Sequence, residues 1–408
     1  TLKPFSAAVV VGEDGLSGLS ATAREALAGA TLICGGARHL AMLDDGDPRE
    51  TLAWGKDLHA DIQKIGTAAA DQTVCVLASG DPLNYGIAVR MIGLLGTDAV
   101  RVLPQAGAFS LAAARMGWSL SDPMLKSLSV HSRPLATLRR DIQPDLKLII
   151  LSRDADSPAE IADTLAAMGY GQSQITVLER MGGENERRSD GLACNGFDTS
   201  FDNLNTVCVD CIADTDMVPL SRAPGLPDDA YDHDGTITKR DVRAVTLAAL
   251  APKPGELLWD VGAGNGTVAI EWLRAEPSAH AVAFEHEPDR LQRIRRNADD
   301  LGVPELTVIE GSFPDALDEN LHTPDAVFVG GGIARNTDIL VVAYDALKPG
   351  GRLVANAVTL EAQAHLMTAA RVMGGELVRI GIAQTVPVGT MTALKPAIDV
   401  LQWRIKKP

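Results

Sequence analysis

The chain has 408 residues, too many for one hydrophobic core, and its 46% apolar content with 4% aromatic residues and 38 glycines suits α/β layers packed with Val, Leu and Ala. A formal net charge of -16 excludes the basic face that tracking a phosphate backbone requires, although a few local Lys or Arg residues still suffice to hold an anionic ligand. Five cysteines cannot staple so long a chain, no apolar run approaches a membrane span, and TLKPFS lacks the pattern of a secretory segment, so a cytoplasmic protein with no nucleic-acid or membrane partner is expected.

Ala7 to Val11 reads as a strand that runs into GEDGLSGLS, where Gly12, Gly15 and Gly18 mark a turn before a helix over ATAREALAGA. TLICG is a second strand ending at Gly35 and Gly36, and ARHL opens a helix. In TVCVLASGDPLNYGIAVRMIGLL a buried strand through Val74, Val76 and Leu77 breaks at Ser79-Gly80-Asp81-Pro82, after which Ile87, Met91, Leu94 and Leu95 keep helical spacing. Asp81 suits the cap of that helix and Pro82 its first turn. A capped helix accounts for both residues but not for three strand ends carrying small residues, which in a parallel sheet converge on a ligand crevice. RVLPQAGAFSLAAARMGW reads as a crossover, dividing an N-terminal domain (1–214) into lobes of about 1–103 and 104–214. KLIIL, ITVLE and NTVCVDCI are strands of a mixed sheet, and PAEIADTLAAMGYG is a helix closed by Gly169. Cys208 and Cys211 form one CxxC inside an apolar segment, which favours half-buried strand thiols over a metal or redox site.

Residues 215–235 carry prolines, glycines and aspartates with almost no apolar periodicity and read as linker and approach loop. The remaining segment, 236–408, opens with a helix whose Val242, Val245, Leu247 and Leu250 face a core. Lys239, Arg240 and Arg243 cluster at its start, where cations are not preferred, so these three are the candidates for holding an anionic substrate. Next comes LLWDVGAGNG: a short apolar strand, Asp260 at its mouth, then Gly262, Gly264 and Gly266 before a helix. Glycines there let a ligand lie on bare backbone at a helix N-terminus. A second acid, Glu285, closes the following strand. An acid near an amino-acid end and another at the ribose hydroxyls favour S-adenosyl-L-methionine, hence a methyltransferase, over the pyrophosphate of a nicotinamide-dependent oxidoreductase. A nucleic-acid methyltransferase is the other alternative, opposed by the acidic balance and by the absence of an NPPY or DPPY strand end. Strands and helices alternate to ALKPGGRLVANAV, giving a doubly wound Rossmann-like sheet, and ELVRIGIAQTVPVG with IDVLQWRIKK is expected to close it as an antiparallel hairpin.

TITKRDVRAVTLAAL, LLWDVGAGNGTVAIEW, EGSFPDAL, DAVFVGGG and GRLVANAVTLE resemble the decarboxylating precorrin methyltransferase domain. VVVGEDGLSGL, GGARHL, LASGDPLNYGI, AGAFSLAAARMGW, SVHSRP and ITVLERMGGENERR resemble the two-lobed tetrapyrrole methylase fold. Together the halves resemble the bifunctional precorrin-6Y C5,15-methyltransferases (decarboxylating) of cobalamin biosynthesis over nearly the whole chain. The resemblance implies two S-adenosyl-L-methionine sites, C5 methylation by the N-terminal domain, C15 methylation and loss of the C12 acetate carboxyl by the C-terminal one, and precorrin-8 as product. It places the C-terminal cofactor on Asp260, Gly262, Gly264, Gly266, Glu285 and Gly311-Ser312, with Gly330, Gly331 and Gly332 beside the methyl group and substrate. In the N-terminal half it places Gly80, Asp81 and Pro82 on the cofactor and Gly12 to Gly15 toward the substrate. Val10, Asn84 and Gly107 depart from the family's usual glycine, aromatic and serine. The expected partners are a small-molecule tetrapyrrole and further copies of the chain. Neither a metal nor pyridoxal is expected, because the conjugated ring itself takes up the electrons left by carbon dioxide.

Overall fold

Short runs of Val, Ile, Leu and Ala, each closed by glycine or a polar turn, form the strands of three main sheets. A computed structural model describes residues 6–336 and 338–408, without the side chains of Ser6, Ala7 and Val10. The chain divides into two units, Thr1–Leu135 with Ile142–Met217, and Ala136–Asp141 with Val218–Pro408.

The first unit holds two sheets. One consists of β1 (Ser6–Val10), β2 (Leu32–Gly35), β3 (Glu50–Ala53), β4 (Val74–Ala78) and β5 (Val100–Leu103), all parallel in the order β3-β2-β4-β1-β5. Crossovers run through α1 (Ala21–Ala28), α2 (Ala37–Leu40), α3 (Leu58–Ala68) and α4 (Ile87–Leu95). β2 and β4 are buried along their whole length, which is why they read as continuous apolar runs rather than as alternation. α4 starts at Ile87 with Gly86 at its cap, so Asp81 is not a helix cap and Pro82 is not in a first turn. Instead Asp81 Oδ1 accepts the Leu83 N–H at 2.9 Å, and the loop turns through Tyr85 at φ 59° before the helix begins.

After α5 (Ala108–Met116), the second sheet comprises β6 (Leu125–Ser129), β7 (Lys147–Leu151), β8 (Gln174–Glu179), β9 (Arg187–Leu192) and β10 (Asn205–Asp210). The order is β6-β7-β10-β8-β9, with β6 and β7 parallel and the rest antiparallel, and α6 (Ser157–Ala167) connects β7 to β8. This is the mixed sheet expected. Cys208 and Cys211 are fully buried rather than half-buried, and burial pushes each thiol up to about 12.

In the second unit α7 (Arg240–Leu250) precedes β11 (Leu257–Val261), α8 (Thr267–Ala275), β12 (His280–Glu285), α9 (Pro288–Asp300), β13 (Thr307–Glu310), β14 (Ala326–Val329), α10 (Asp338–Ala346), β15 (Arg352–Ala357) and α11 (Leu360–Met373). Then follow β16 (Glu376–Ile380), β17 (Ala383–Val388), β18 (Met391–Pro396) and β19 (Val400–Lys406). The seven-stranded order is β13-β12-β11-β14-β15-β19-β16, parallel up to β15 and antiparallel beyond it. The tail is therefore more than a hairpin. β19 inserts between β15 and β16, and β17 pairs with β18 as a separate two-stranded ribbon. A buried polar contact fixes that insertion: Gln402 Nε2 donates to Asn356 Oδ1 at 2.8 Å and to Thr246 Oγ1 at 3.1 Å.

The stretch expected to be a linker is packed structure over its second part. Leu226 and Tyr231 are 2% and 4% exposed and lie in one core cluster with Leu247, Leu250 and Trp272. Each buried apolar side chain of this size stabilises by about 1.5–3 kcal/mol, enough to hold a segment that shows no periodicity.

Candidate active site

The strand order of the second unit reverses between β11 and β14, and ligands of open parallel sheets bind in the crevice beyond such a reversal. The C-terminal ends of β11 to β14 bring together Gly262, Gly264, Glu285, Gly311, Gly330 and Gly331. Gly262 and Ala263 donate to Phe284 O, Gly311 donates to Glu285 O at 2.8 Å, and Gly330 donates to Val261 O at 3.0 Å. A Cβ on Gly262 would stand 2.9 Å from Gly331 Cα, so the two loops meet this closely only because residue 262 is glycine. Gly264 has φ 62° and nothing within 4 Å of where its Cβ would point, leaving bare backbone facing open space. Ser312 is exposed beside Gly311, and Gly332 is exposed at the end of the 330–332 run.

Two carboxylates frame that turn. Glu285, 3% exposed, accepts the Gly264 N–H through Oε2 at 2.8 Å and the His286 and Glu287 N–H groups through Oε1 at 2.9 and 3.0 Å. It is thereby fixed while a lone pair on Oε2 remains for a ligand hydroxyl. Asp260 is fully buried; its Oδ2 accepts the Ala269 N–H at 3.0 Å, and its Oδ1 has no hydrogen-bond partner among the described residues. Burial pushes its carboxyl up to about 7, with the Glu285 charge adding to the rise and the Ala269 N–H opposing it. An orphaned buried acceptor beside an open glycine turn fits a ligand bearing an ammonium group and ribose hydroxyls. S-adenosyl-L-methionine carries both, and a pyrophosphate would be repelled.

Arg243 is not at the mouth of this site. Its side chain is 0% exposed, pairs with Glu271 and with Asp228 at 3.2 Å, donates to the carbonyls of Leu226 and Thr238, and lies 4.9 Å from the Tyr231 ring centroid. Lys239 approaches Asp228 at 3.7 Å, and Arg240 donates to Gly225 O at 3.0 Å. The basic cluster is thus occupied in tying residues 225–238 to α7 and α8. Arg243 cannot reach a substrate carboxylate while it remains buried, which corrects the expectation drawn from its place at a helix start. The unfavourable position is explained by Glu271, 28 residues on in sequence and 2% exposed.

In the first unit Gly12 and Gly80 line one cleft of about 150 Å³ together with Ala106, Arg38 and Arg180, whereas Gly15, Asp81 and Pro82 lie outside its lining. A Cβ on Gly107 would stand 2.7 Å from Asp81 N, so glycine at this position lets the Gly80-Asp81 loop sit close to the start of α5. The side chain of Val10 is outside the described residues; Asn84 is exposed. Glu13, Arg38 and Arg180 form a group that sequence reading missed. Arg38 Nη1 donates to Glu13 Oε1 at 2.9 Å and Arg180 Nη1 to Glu13 Oε2 at 3.1 Å. Glu13 lies inside GEDG, but nothing in the sequence pairs residues 38 and 180.

A doubly wound sheet whose glycine turn is flanked by a buried acid and an acid closing the next strand is the framework of an S-adenosyl-L-methionine-dependent methyltransferase. Residues 229–407 match the precorrin methyltransferase domain family, and residues 7–193 match the tetrapyrrole (corrin/porphyrin) methylases. A precorrin-6Y C(5,15)-methyltransferase [decarboxylating] from a Sinorhizobium species is 42% identical over 98% of this chain and 96% of its own length. Two shorter relatives each span less than half of the chain. A cobalt-precorrin-7 C(5)-methyltransferase of Salmonella typhimurium is 34% identical over 44% of this chain and 86% of its own length. A probable cobalt-precorrin-6B C(15)-methyltransferase (decarboxylating) of Saccharolobus solfataricus is 30% identical over 37% of this chain and 78% of its own length. The chain belongs to the decarboxylating precorrin-6Y C5,15-methyltransferase family. Among the described residues no helix is long and apolar enough to cross a membrane.

Proposed function

We propose that this chain methylates a reduced tetrapyrrole of the precorrin-6Y type at C5 and C15 and removes the carboxyl of its C12 acetate, with one S-adenosyl-L-methionine site in each domain. C15 methylation and decarboxylation fall to the C-terminal domain and C5 methylation to the N-terminal one. Separate single-activity relatives for C5 and C15 support this division. The observation that carries the reading is the unpartnered Oδ1 of Asp260 beside the open Gly264 backbone.

When bound, S-adenosyl-L-methionine supplies an electrophilic methyl group on a sulfonium, which leaves as a neutral thioether. The residues of the chain bind, orient and balance charge. Asp260, buried behind the glycine turn, would place its negative charge at the ligand's ammonium end, and Glu285, already held by three backbone N–H groups, would accept a ribose hydroxyl. The Gly262–Gly331 contact keeps the loop ends of β11 and β14 low enough for a flat macrocycle to approach. The meso carbon of the reduced ring is enamine-like and attacks without a strong base. In the decarboxylation the bond from the acetate methylene to its carboxyl breaks, carbon dioxide leaves, the electron pair passes into the conjugated ring, and a proton is taken up to leave a methyl group.

Titration of the intact chain with S-adenosyl-L-methionine and separately with NAD tests the cofactor. Binding of the first that weakens at least tenfold in Asp260→Asn, with no measurable NAD binding, is expected. Tight NAD binding would return the oxidoreductase reading.

A further inference from the structure

The cleft of the first unit holds a carboxylate between two arginines from different lobes. Arg38 lies on α2 and reaches Glu13 Oε1 at 2.9 Å and Ser79 Oγ, next to Gly80, at 3.1 Å. Arg180 follows β8 in the second lobe, reaches Glu13 Oε2 at 3.1 Å, and is held by Asp202 at 2.8 Å. Arg180 also has φ 47°, an uncommon backbone conformation for a residue with a side chain and one that collects at functional sites. Glycine at 183 is required for this arrangement, since a Cβ there would stand 2.9 Å from Glu13 Cβ. Evolution of a purely structural ion pair requires neither the strained backbone nor a position facing the cleft.

We propose that Arg38 and Arg180 form the subsite for one carboxylate side chain of the tetrapyrrole substrate, and that Glu13 occupies it when the substrate is absent. The inference rests on the reading of this domain as a tetrapyrrole methylase. Two guanidiniums match a carboxylate geometrically, with one N–H donor from each already directed at a carboxylate oxygen. The arginine side chains are 41% and 37% exposed although Glu13 is only 13% exposed, so both guanidiniums stay open to the cleft and partly solvated pairs of this kind can exchange Glu13 for a ligand carboxylate. S-adenosyl-L-methionine also bears a carboxylate but is cationic overall, so a pair of arginines repels it and attracts a polyanionic macrocycle.

The test measures, in the full chain with the precorrin substrate, the KM for the macrocycle, the Kd for S-adenosyl-L-methionine and the mass of the product for Arg38→Gln, Arg180→Gln and Glu13→Gln. The arginine variants are expected to raise the macrocycle KM for one of the two methylations about tenfold and leave the other methylation, which reports an intact chain, at the wild-type rate. Glu13→Gln is expected to lower that KM, because the competing carboxylate is gone; a merely structural Glu13 would raise it. An unchanged macrocycle KM in both arginine variants, a rise in Glu13→Gln, or an effect confined to the Kd for S-adenosyl-L-methionine would overturn the subsite. Failure of the wild-type chain to add two methyl groups would instead overturn the functional reading on which it rests.

Discussion

Asp260 and Arg243 show how differently two buried charges behave. Asp260 has one oxygen without a partner, and burial lifts its carboxyl to about 7, against about 3.9 for an unfolded chain. Between those values the folded chain keeps a proton that the unfolded chain has lost, so this residue makes stability fall as pH rises from about 4 through 7. Asp260→Asn should therefore melt higher than the wild type at pH 8 in the absence of ligand and alike at pH 4, measured by thermal unfolding across pH. A ligand ammonium favours the ionised carboxylate, so affinity for S-adenosyl-L-methionine should rise with pH up to about 7. Arg243 is the reverse case, a buried charge with partners on every side. Arg243→Ala leaves Glu271 buried and unpaired and should cost about 3–5 kcal/mol in chemical unfolding. Its effect on activity should follow the unfolded fraction and not the macrocycle KM. From sequence, Asp260 was identifiable because strand, acid and glycine turn are contiguous. The burial of Arg243 was not, because its partner Glu271 lies a helix and a strand further on.

Among the elements, those whose determinants are local were the readable ones. The runs that became β2, β4, β11 and β12 are apolar and reach a glycine or an acid at their end or within two residues of it, and their cores need no distant partner to be recognised. α4 was placed five residues early because Asp81-Pro82 has the chemistry of a cap, whereas the Asp81 carboxylate closes a turn onto Leu83 instead. β9 carries two arginines and an aspartate and is an edge strand, so its sequence records solvent rather than a core. β19 becomes central by pairing with both β15 and β16, a long-range choice that no local pattern encodes. The glycine turn after β11 gives the sharpest test at this scale. Gly264→Ala meets no atom but must hold φ 62°, so it should lose only about 1–2 kcal/mol of stability. Calorimetry should nevertheless find S-adenosyl-L-methionine binding by the C-terminal domain reduced far more than that stability loss accounts for.

At the level of the whole molecule, two unrelated sheet designs occur in one chain, a pair of lobes with a parallel and a mixed sheet, and a doubly wound sheet with an antiparallel edge. That pairing was legible because each half carries its own contiguous motifs. What joins residues across a cleft, as Glu13 joins Arg38 and Arg180, depends on folding and was not. The proposed division of labour, with one donor site in each domain, is tested most directly by the mass of the product formed from the precorrin substrate by the full chain and by its Gly264→Val variant. The wild type should add two methyl groups and release one carbon dioxide, while Gly264→Val should add one methyl group and retain the carboxyl. A variant that still performs all three steps, or one that loses both methylations while remaining folded, would contradict an independent donor site in each domain.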